Sequence, residues 1–367
     1  MNTKILLTGG RAPATLYLAR LLYRQGYNVY VADSIPFYLA KNSNKIKKSF
    51  VLPSPHQKDE YIASLSDILK KYEIDILLPT CEEVFFIAQY QNKIPKTTEI
   101  FIDSFEKLIL LHNKYDFLRF AENLKIKTPN SVLVRNRSEV DFYLKESPDK
   151  KFVLKPIYSR FSCETQFIQY GKKYQFSIDR LYVLQEYLNG KEYCCYAIAN
   201  HGKILAYSDY ESAFTAGHGT TIAFKRCENE CIHQIVSKIV DALSFHGQIG
   251  LDIIQTSPTN YYVIECNPRL TSGIQLLDGD IIKGKDIKNL NLSSLKTLMI
   301  LLFPKWLFKI KKWLYIICNS KDSVFDKNDL KPFFMQIPTL LYFCFLSLKN
   351  RVSLKKITTL DIEWNGK

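Results

Sequence analysis

Residues 261–270 read Tyr-Tyr-Val-Ile-Glu-Cys-Asn-Pro-Arg-Leu, an apolar run that opens into Glu265, Asn267 and Arg269 at every second position. Side chains of an extended chain alternate between faces, so a carboxylate, an amide oxygen and a fixed cation leave one face together. Upstream, Gly250-Leu-Asp252-Ile-Ile is a second apolar stretch whose only charge is Asp252, and a short polar turn, Thr256-Ser-Pro-Thr-Asn260, separates the two. The spacing predicts a hairpin with Asp252 across the ladder from Glu265. Acids inside apolar strands are costly unless something compensates them. Hard divalent cations want such oxygens, and phosphate wants such an arginine. The bland alternative, two strands with scattered surface charges, leaves that cost unanswered.

Upstream elements carry further polar groups in a fixed order. Phe152-Val-Leu-Lys155-Pro156 is an apolar strand ending in a lysine, and Val183-Leu-Gln-Glu186-Tyr187-Leu188 is another that runs into Asn189-Gly190-Lys-Glu192. Lys114 opens the helical stretch Lys114-Tyr-Asp-Phe-Leu-Arg-Phe-Ala-Glu. Taken singly, a lone Lys or Glu is usually just solvated; the joint order carries the weight. In Phe214-Thr-Ala-Gly217-His218-Gly219-Thr-Thr221, Gly217 and Gly219 allow a backbone to approach a ligand closely. His218 between them reads as a loop residue rather than a base. Ile232, Ile235, Val236, Ile239, Val240 and Leu243 form a stripe at helical spacing, which is core packing.

In this order, the Asp252 strand followed by Glu265-Cys-Asn267-Pro-Arg269 resembles the metal-binding end of ATP-grasp enzymes, the superfamily of carbamoyl phosphate synthetase, biotin carboxylase and D-alanine:D-alanine ligase. The resemblance implies ATP held between two lobes, with Mg2+ or Mn2+ on Asp252, Glu265 and Asn267. It implies that Lys155 reaches the phosphates and the adenine edge, that Glu186, Tyr187 and Leu188 present backbone groups to adenine, that Glu192 accepts the ribose hydroxyls, and that Lys114 opens the smaller lobe. One departure stands out. Where the family carries a glycine-rich phosphate loop, this chain reads Ile157-Tyr-Ser159-Arg160-Phe-Ser162-Cys-Glu-Thr165, without glycine. The Ser159 and Ser162 hydroxyls and the Arg160 guanidinium could still cap a triphosphate. Equally, the segment is only a turn, and nucleotide turnover is then weak.

At the N-terminus, Lys4-Ile-Leu-Leu-Thr8 predicts a strand, Gly9-Gly10 a tight turn, residues 13–25 a helix, and 27–32 a second strand ending at Asp33. Gly9-Gly10-Arg11-Ala12-Pro-Ala14 lacks the G-x-G-x-x-G spacing, which demotes NAD binding. The helix start and Arg11 are offered instead to a substrate carboxylate or phosphate. Ile74-Asp-Ile-Leu-Leu-Pro79-Thr-Cys-Glu82-Glu83 is a further strand whose acidic end lies at the same carboxyl edge, with Glu82 and Glu83 read mainly as a helix N-terminal pair. The expected fold is α/β and α+β. A Rossmann-like domain preceding the ATP-grasp lobes spans 1–100, the two-lobed ATP-grasp domain 101–280 with its smaller lobe about 115–190, and a basic, aromatic-rich helical region 281–367.

A chain of 367 residues, 47% hydrophobic, can bury two or three cores. Its nine cysteines are odd in number and irregularly spaced, and Cys266 lies inside the metal strand, which fits free thiols in a reducing, cytoplasmic compartment. Cys227 and Cys231 lack a second pair for zinc. The opening apolar run is broken at once by Gly-Gly-Arg and reads as a fold element, not a signal peptide. The net charge of +14 is concentrated at the C-terminal end, where residues 281–367 hold 16 Lys plus Arg against 6 Asp plus Glu. Within it, residues 303–318 mix lysines with aromatic and aliphatic side chains in a pattern suited to peripheral contact with an anionic membrane. The 17 uncharged residues 332–348 contain Gln336, Pro338 and Thr339 and read as a buried helix rather than a span. No base-reading motif accompanies the charge, so nucleic acid is not expected. The closing 361–366, with Trp364, is expected to be anchored.

The chemistry implied is phosphorylation of a substrate carboxylate by ATP, then displacement of phosphate by an amine or similar nucleophile. Arg269, Lys155 and Arg160 are the catalytic candidates, neutralising charge on the transferred phosphoryl group and the tetrahedral intermediate. Thr271-Ser272-Gly273 lies beside Arg269 to help hold the acyl phosphate. Partners are then a small carboxylate and an amine, with a homodimer possible. Three competitors remain: carboxyphosphate or carbamoyl phosphate formation from bicarbonate, a low-turnover ATP-binding scaffold recruited to membrane, and an NAD-dependent reductase built on the N-terminal unit.

Overall fold

The computed structural model describes residues 2–160, 164–217 and 220–366. Ser162, His218 and Gly219 therefore lie outside the described residues.

The first hundred residues alternate strand and helix. β1 (Lys4–Leu7), α1 (Pro13–Arg24), β2 (Asn28–Asp33), β3 (Lys48–Val51), α2 (Lys58–Tyr72), β4 (Ile76–Leu78), α3 (Glu83–Gln89) and β5 (Glu99–Ile100) build a parallel sheet in the order β3-β2-β1-β4-β5. Its central strands carry near-continuous apolar runs because both faces are covered: Ile5, Leu7, Val29 and Val31 pack toward α1, while Leu6, Ala32 and Leu77 pack toward α2 and α3. Strand order reverses between β1 and β4, which opens a crevice at their carboxyl ends. There Gly9 turns at φ +68, and a Cβ would stand 2.6 Å from Thr80 Oγ1. Glycine is required on both counts.

α4 (Phe105–His112) and α5 (Lys114–Asn123) lead into a small sheet. α5 is capped by the Asn113 side chain, which accepts from the Tyr115 and Asp116 amides. β6 (Ser131–Val134), α6 (Arg137–Glu146), β7 (Phe152–Pro156), β8 (Gln166–Ile168) and β9 (Tyr182–Glu186) follow, the strands ordered β6-β9-β7-β8 and antiparallel throughout. A larger sheet then forms from β10 (Lys191–Asn200), β11 (Lys203–Thr215), β12 (Thr221–Arg226), β13 (Gly247–Ser257) and β14 (Asn260–Asn267), with α7 (Glu230–Ala242) on one face. α7 buries Ile232, Val236, Ile239 and Val240, the stripe read from the sequence.

A short hairpin, β15 (Leu277–Asp280) with β16 (Lys285–Asn289), precedes β17 (Leu292–Ser294), α8 (Lys296–Leu301), α9 (Ile310–Asn319), β18 (Lys321–Asp322), α10 (Lys331–Asn350) and α11 (Leu354–Ile357). β17 and β18 extend the larger sheet to the order β14-β13-β10-β11-β12-β17-β18, so the C-terminal region contributes strands as well as helices. The eight described cysteines are free.

α10 departs from its sequence reading. Its apolar run predicts burial, yet only Pro332, Thr339 and Phe343 are buried; Phe334, Ile337, Leu341, Phe345 and Leu348 point outward. Composition fixes that a helix is apolar, not how much of its circumference the rest of the molecule covers.

Candidate functional site

The carboxylate hairpin forms in the expected register. β13 and β14 pair antiparallel with Asp252 opposite Glu265 and Gly250 opposite Asn267. Alternation places Asp252, Glu265 and Asn267 on one face. On the other side of β13, Cys194 of β10 stands opposite Asp252, so Glu192, two residues earlier, shares that face at its exposed rim.

The small sheet meets this face through two buried lysines. Lys155, on β7, donates from Nζ to the Ile264 carbonyl at 3.2 Å. Lys114, the first residue of α5, donates to the Ser159 carbonyl at 3.0 Å, and its Nζ lies 3.6 Å from Glu265 Oε1. Burial pushes the Lys155 ammonium down to about 8, opposed by the pull of Glu265. Burial, and then the neighbouring Glu265 charge, push the Asp252 carboxyl up to about 6. Two facing acids with a lysine against only one of them are electrostatically incomplete, and a divalent cation would make up the difference.

Asn267 Nδ2 lies 3.5 Å from Asp252 Oδ2, while its Oδ1 accepts from Arg269 Nη2 at 3.0 Å. The amide thus turns its nitrogen toward the acid, and a half-turn about its last torsion presents the oxygen instead. With that half-turn, two carboxylates and one amide oxygen fit Mg2+. Among the described residues no group of three His, Cys, Asp or Glu side chains converges here. Phosphate and water oxygens would fill the remaining positions.

Arg160 has a partner absent from its sequence reading. Its Nε lies 3.0 Å from Glu82 Oε1, on the N-terminal domain, so the guanidinium also ties the loop to the crevice. Ser159 is buried and meets Lys114 through its carbonyl. Arg269 Nε lies 3.7 Å from the same Glu82 oxygen. Glu82, which is fully buried, therefore gathers both arginines, and its other oxygen accepts from the Trp364 amide at 2.9 Å. Only Glu83 behaves as the helix N-terminal acid expected of the pair, accepting from the Thr80 and Cys81 amides and the Thr8 hydroxyl.

One other expectation changes in detail. Arg11, offered to a substrate anion, is already held by Asp33 Oδ1 at 2.6 Å and Asp361 Oδ1 at 2.6 Å. The Glu186 and Tyr187 amides donate to the Asn130 and Lys151 carbonyls, so those two amides are already engaged within the protein. Gly217 adopts φ +75, a left-handed turn that glycine accommodates, and a Cβ added there would meet nothing within 4 Å.

No periodicity or motif marks His112 as a wall of the crevice. Its ring is buried, stacked 4.4 Å from Phe85 and 5.4 Å from Tyr158. Burial first, then Lys114, Arg269 and Arg160, hold it well below the usual histidine range. Trp364 packs 4.9 Å from Phe86 and 5.6 Å from Phe105, so the chain's own closing segment covers the crevice.

Asp361 fastens this segment. Burial alone would raise its carboxyl, but Arg11 and the Ser34 hydroxyl hold it below the usual range. A depressed carboxyl contributes stability in full above its unfolded value of about 3.9 and loses it as pH falls through the lower folded value. The segment is therefore expected to loosen in acid. Trp364 emission in a Trp306→Phe, Trp313→Phe background should shift red below about pH 4, and the Asp361→Asn variant should show no such acid transition.

Comparison with known proteins bears on the fold. The ATP-grasp domain family matches residues 111–273. An uncharacterized protein of Methanocaldococcus jannaschii is 22% identical over 349 residues, covering 92% of this chain and 84% of that protein. N5-carboxyaminoimidazole synthetase from Staphylococcus aureus superposes with a TM-score of 0.63 at 16% identity, covering 83% of this chain and 88% of the other, and has also been solved with ADP. L-amino acid ligase from Bacillus licheniformis superposes with a TM-score of 0.57 at 14% identity, covering 74% and 71%.

Proposed function

Because residues 111–273 match the ATP-grasp domain family, we propose that this chain is a Mg2+-dependent ATP ligase that activates a substrate carboxylate as an acyl phosphate and joins it to an amine. The observation that carries the reading is Asp252 directly across from Glu265, with Lys114 and Lys155 reaching the same strand from the small sheet. A cation bound by Asp252, Glu265 and Asn267 would neutralise phosphate charge as it develops. Lys155 contributes a buried positive charge without a carboxylate of its own in hydrogen-bond contact, suited to a phosphate oxygen. Arg269, close to Asn267 and Glu82, is positioned between the metal face and the crevice, where it would hold the activated carboxylate. Glu192 and the 186–188 segment line the rim where the nucleoside would lie.

The reaction balances simply. The γ-phosphoryl group passes to a carboxylate oxygen, ADP leaves, and attack by the amine on the acyl carbon expels inorganic phosphate. The eight free cysteines favour a reducing, cytoplasmic setting. Bicarbonate as the acceptor is the second reading, supported by the likeness to the biotin carboxylase domain of Hydrogenobacter thermophilus 2-oxoglutarate carboxylase, solved with bicarbonate.

The test is ADP formation by the full chain with Mg2+ and ATP, screened against amino acids, small amines and bicarbonate. Turnover that requires both a carboxylate and an amine is the expected result. Turnover with bicarbonate and an amine alone selects the second reading, and ATP binding without turnover on any combination rejects both.

A further inference from the structure

The C-terminal helices present a face that the rest of the molecule leaves uncovered. On α10, Phe334, Ile337, Leu341, Phe345 and Leu348 follow one another at intervals of three and four residues and are 59 to 81% exposed. That spacing places them in one stripe, about 21 Å long at 1.5 Å per residue. The opposite side of the helix is docked: Phe343 is buried, and Tyr342 lies 5.7 Å from Phe37. The segment just ahead of the helix is pinned by the buried Arg20–Asp329 pair at 2.9 Å. The stripe cannot turn inward without breaking these contacts. Nearby in sequence, Phe308 is fully exposed, and Leu307 and Leu314 are about half exposed.

Along α10 and the short helix packed on its end, formal charge has one sign. Residues 330–360 carry five Lys and Arg and no Asp or Glu, while the acid just ahead of them, Asp329, is already paired with Arg20. Lys331 stands at the start of the stripe, and Lys349 and Arg351 at its end, where long aliphatic stems can lie along an apolar layer while the cationic heads stay at its polar boundary. Two copies of the chain meeting on this face would bring like charges together, which disfavours a dimer as its occupant.

We propose that this face docks on an anionic lipid surface, with the α10 stripe entering the boundary between headgroups and acyl chains and the surrounding lysines binding lipid phosphates. The inference goes beyond the ligase reading and does not depend on it. α10 is the one helix among the described residues long and apolar enough to cross a membrane. Its docked inner side makes it lie along the surface instead. None of the stripe residues lies on the carboxylate hairpin or in the crevice, so docking leaves the proposed site intact.

The test is co-sedimentation of the full chain with vesicles of phosphatidylcholine alone or mixed with phosphatidylglycerol. Binding to the mixed vesicles is expected to exceed binding to the neutral ones at least tenfold and to weaken with salt. Lys331→Ser, Lys349→Ser and Arg351→Ser combined should lower it by about a hundredfold, at roughly 1 kcal/mol for each cation near the surface. Phe334→Ser, Ile337→Ser and Leu341→Ser combined should abolish it while circular dichroism stays unchanged. Equal binding to both vesicle types, or none, overturns the proposal. So does a dimer in light scattering that the stripe variant dissociates, because a second copy is then the occupant.

Discussion

Replacing Glu265 with Gln is expected to lower ATP turnover by about three orders of magnitude while leaving the fold intact. The side chain is partly accessible and lies opposite Asp252, with Lys114 3.6 Å away. Its neutral isostere keeps the shape and removes one of the two charges that would hold a cation. The Asp252 carboxyl, raised to about 6 by burial and by Glu265, should then return toward its ordinary range. Turnover measured as phosphate release, beside thermal melting of the same protein, separates chemistry from folding. Normal turnover in the variant would remove Glu265 from the metal face. A loss of turnover together with a collapsed melting transition would make its role structural.

Replacing Arg11 with Met should cost about 3–5 kcal/mol of folding stability, the usual penalty for leaving a buried acid without its partner. The Arg11 and Asp33 side chains are 5% and 1% exposed, and Arg11 also holds Asp361 and the Thr358 carbonyl. Two losses should therefore appear together in a denaturant titration: a lower midpoint and release of the closing segment, reported by Trp364. The exposed Lys4–Glu73 pair supplies the control, since Lys4→Met there should barely move the midpoint. A similar small shift for Arg11→Met would mean that Asp33 finds another partner or takes up a proton without difficulty.

Much of the site is legible in the sequence because it is written in strands. Period-two spacing fixes which side chains share a face, so the hairpin, its register and the grouping of Asp252, Glu265 and Asn267 follow from local sequence. The same reasoning reaches β1 and β2, whose apolar runs are near-continuous because both faces of a parallel sheet are buried. Arg160 escapes such reasoning for the opposite cause. A loop residue carries no periodicity, and the partner that claims it, Glu82, lies 78 positions earlier in the chain. Arg11 looks available to a ligand because nothing near it in sequence foretells Asp361, which arrives from the other end of the molecule.

Sequence alone determined the elements and the chemistry each could carry, since alternation, helical spacing and the cost of an acid in an apolar strand are local properties. Tertiary structure alone decided which charges neutralise one another and which apolar faces stay uncovered. Ion pairing falls off over a few ångströms of space, whatever the separation along the chain, and exposure depends on everything that packs against a surface. That is why Glu82, His112 and Trp364 join one crevice, and why α10, apolar along its length, keeps an outer face turned away from the molecule.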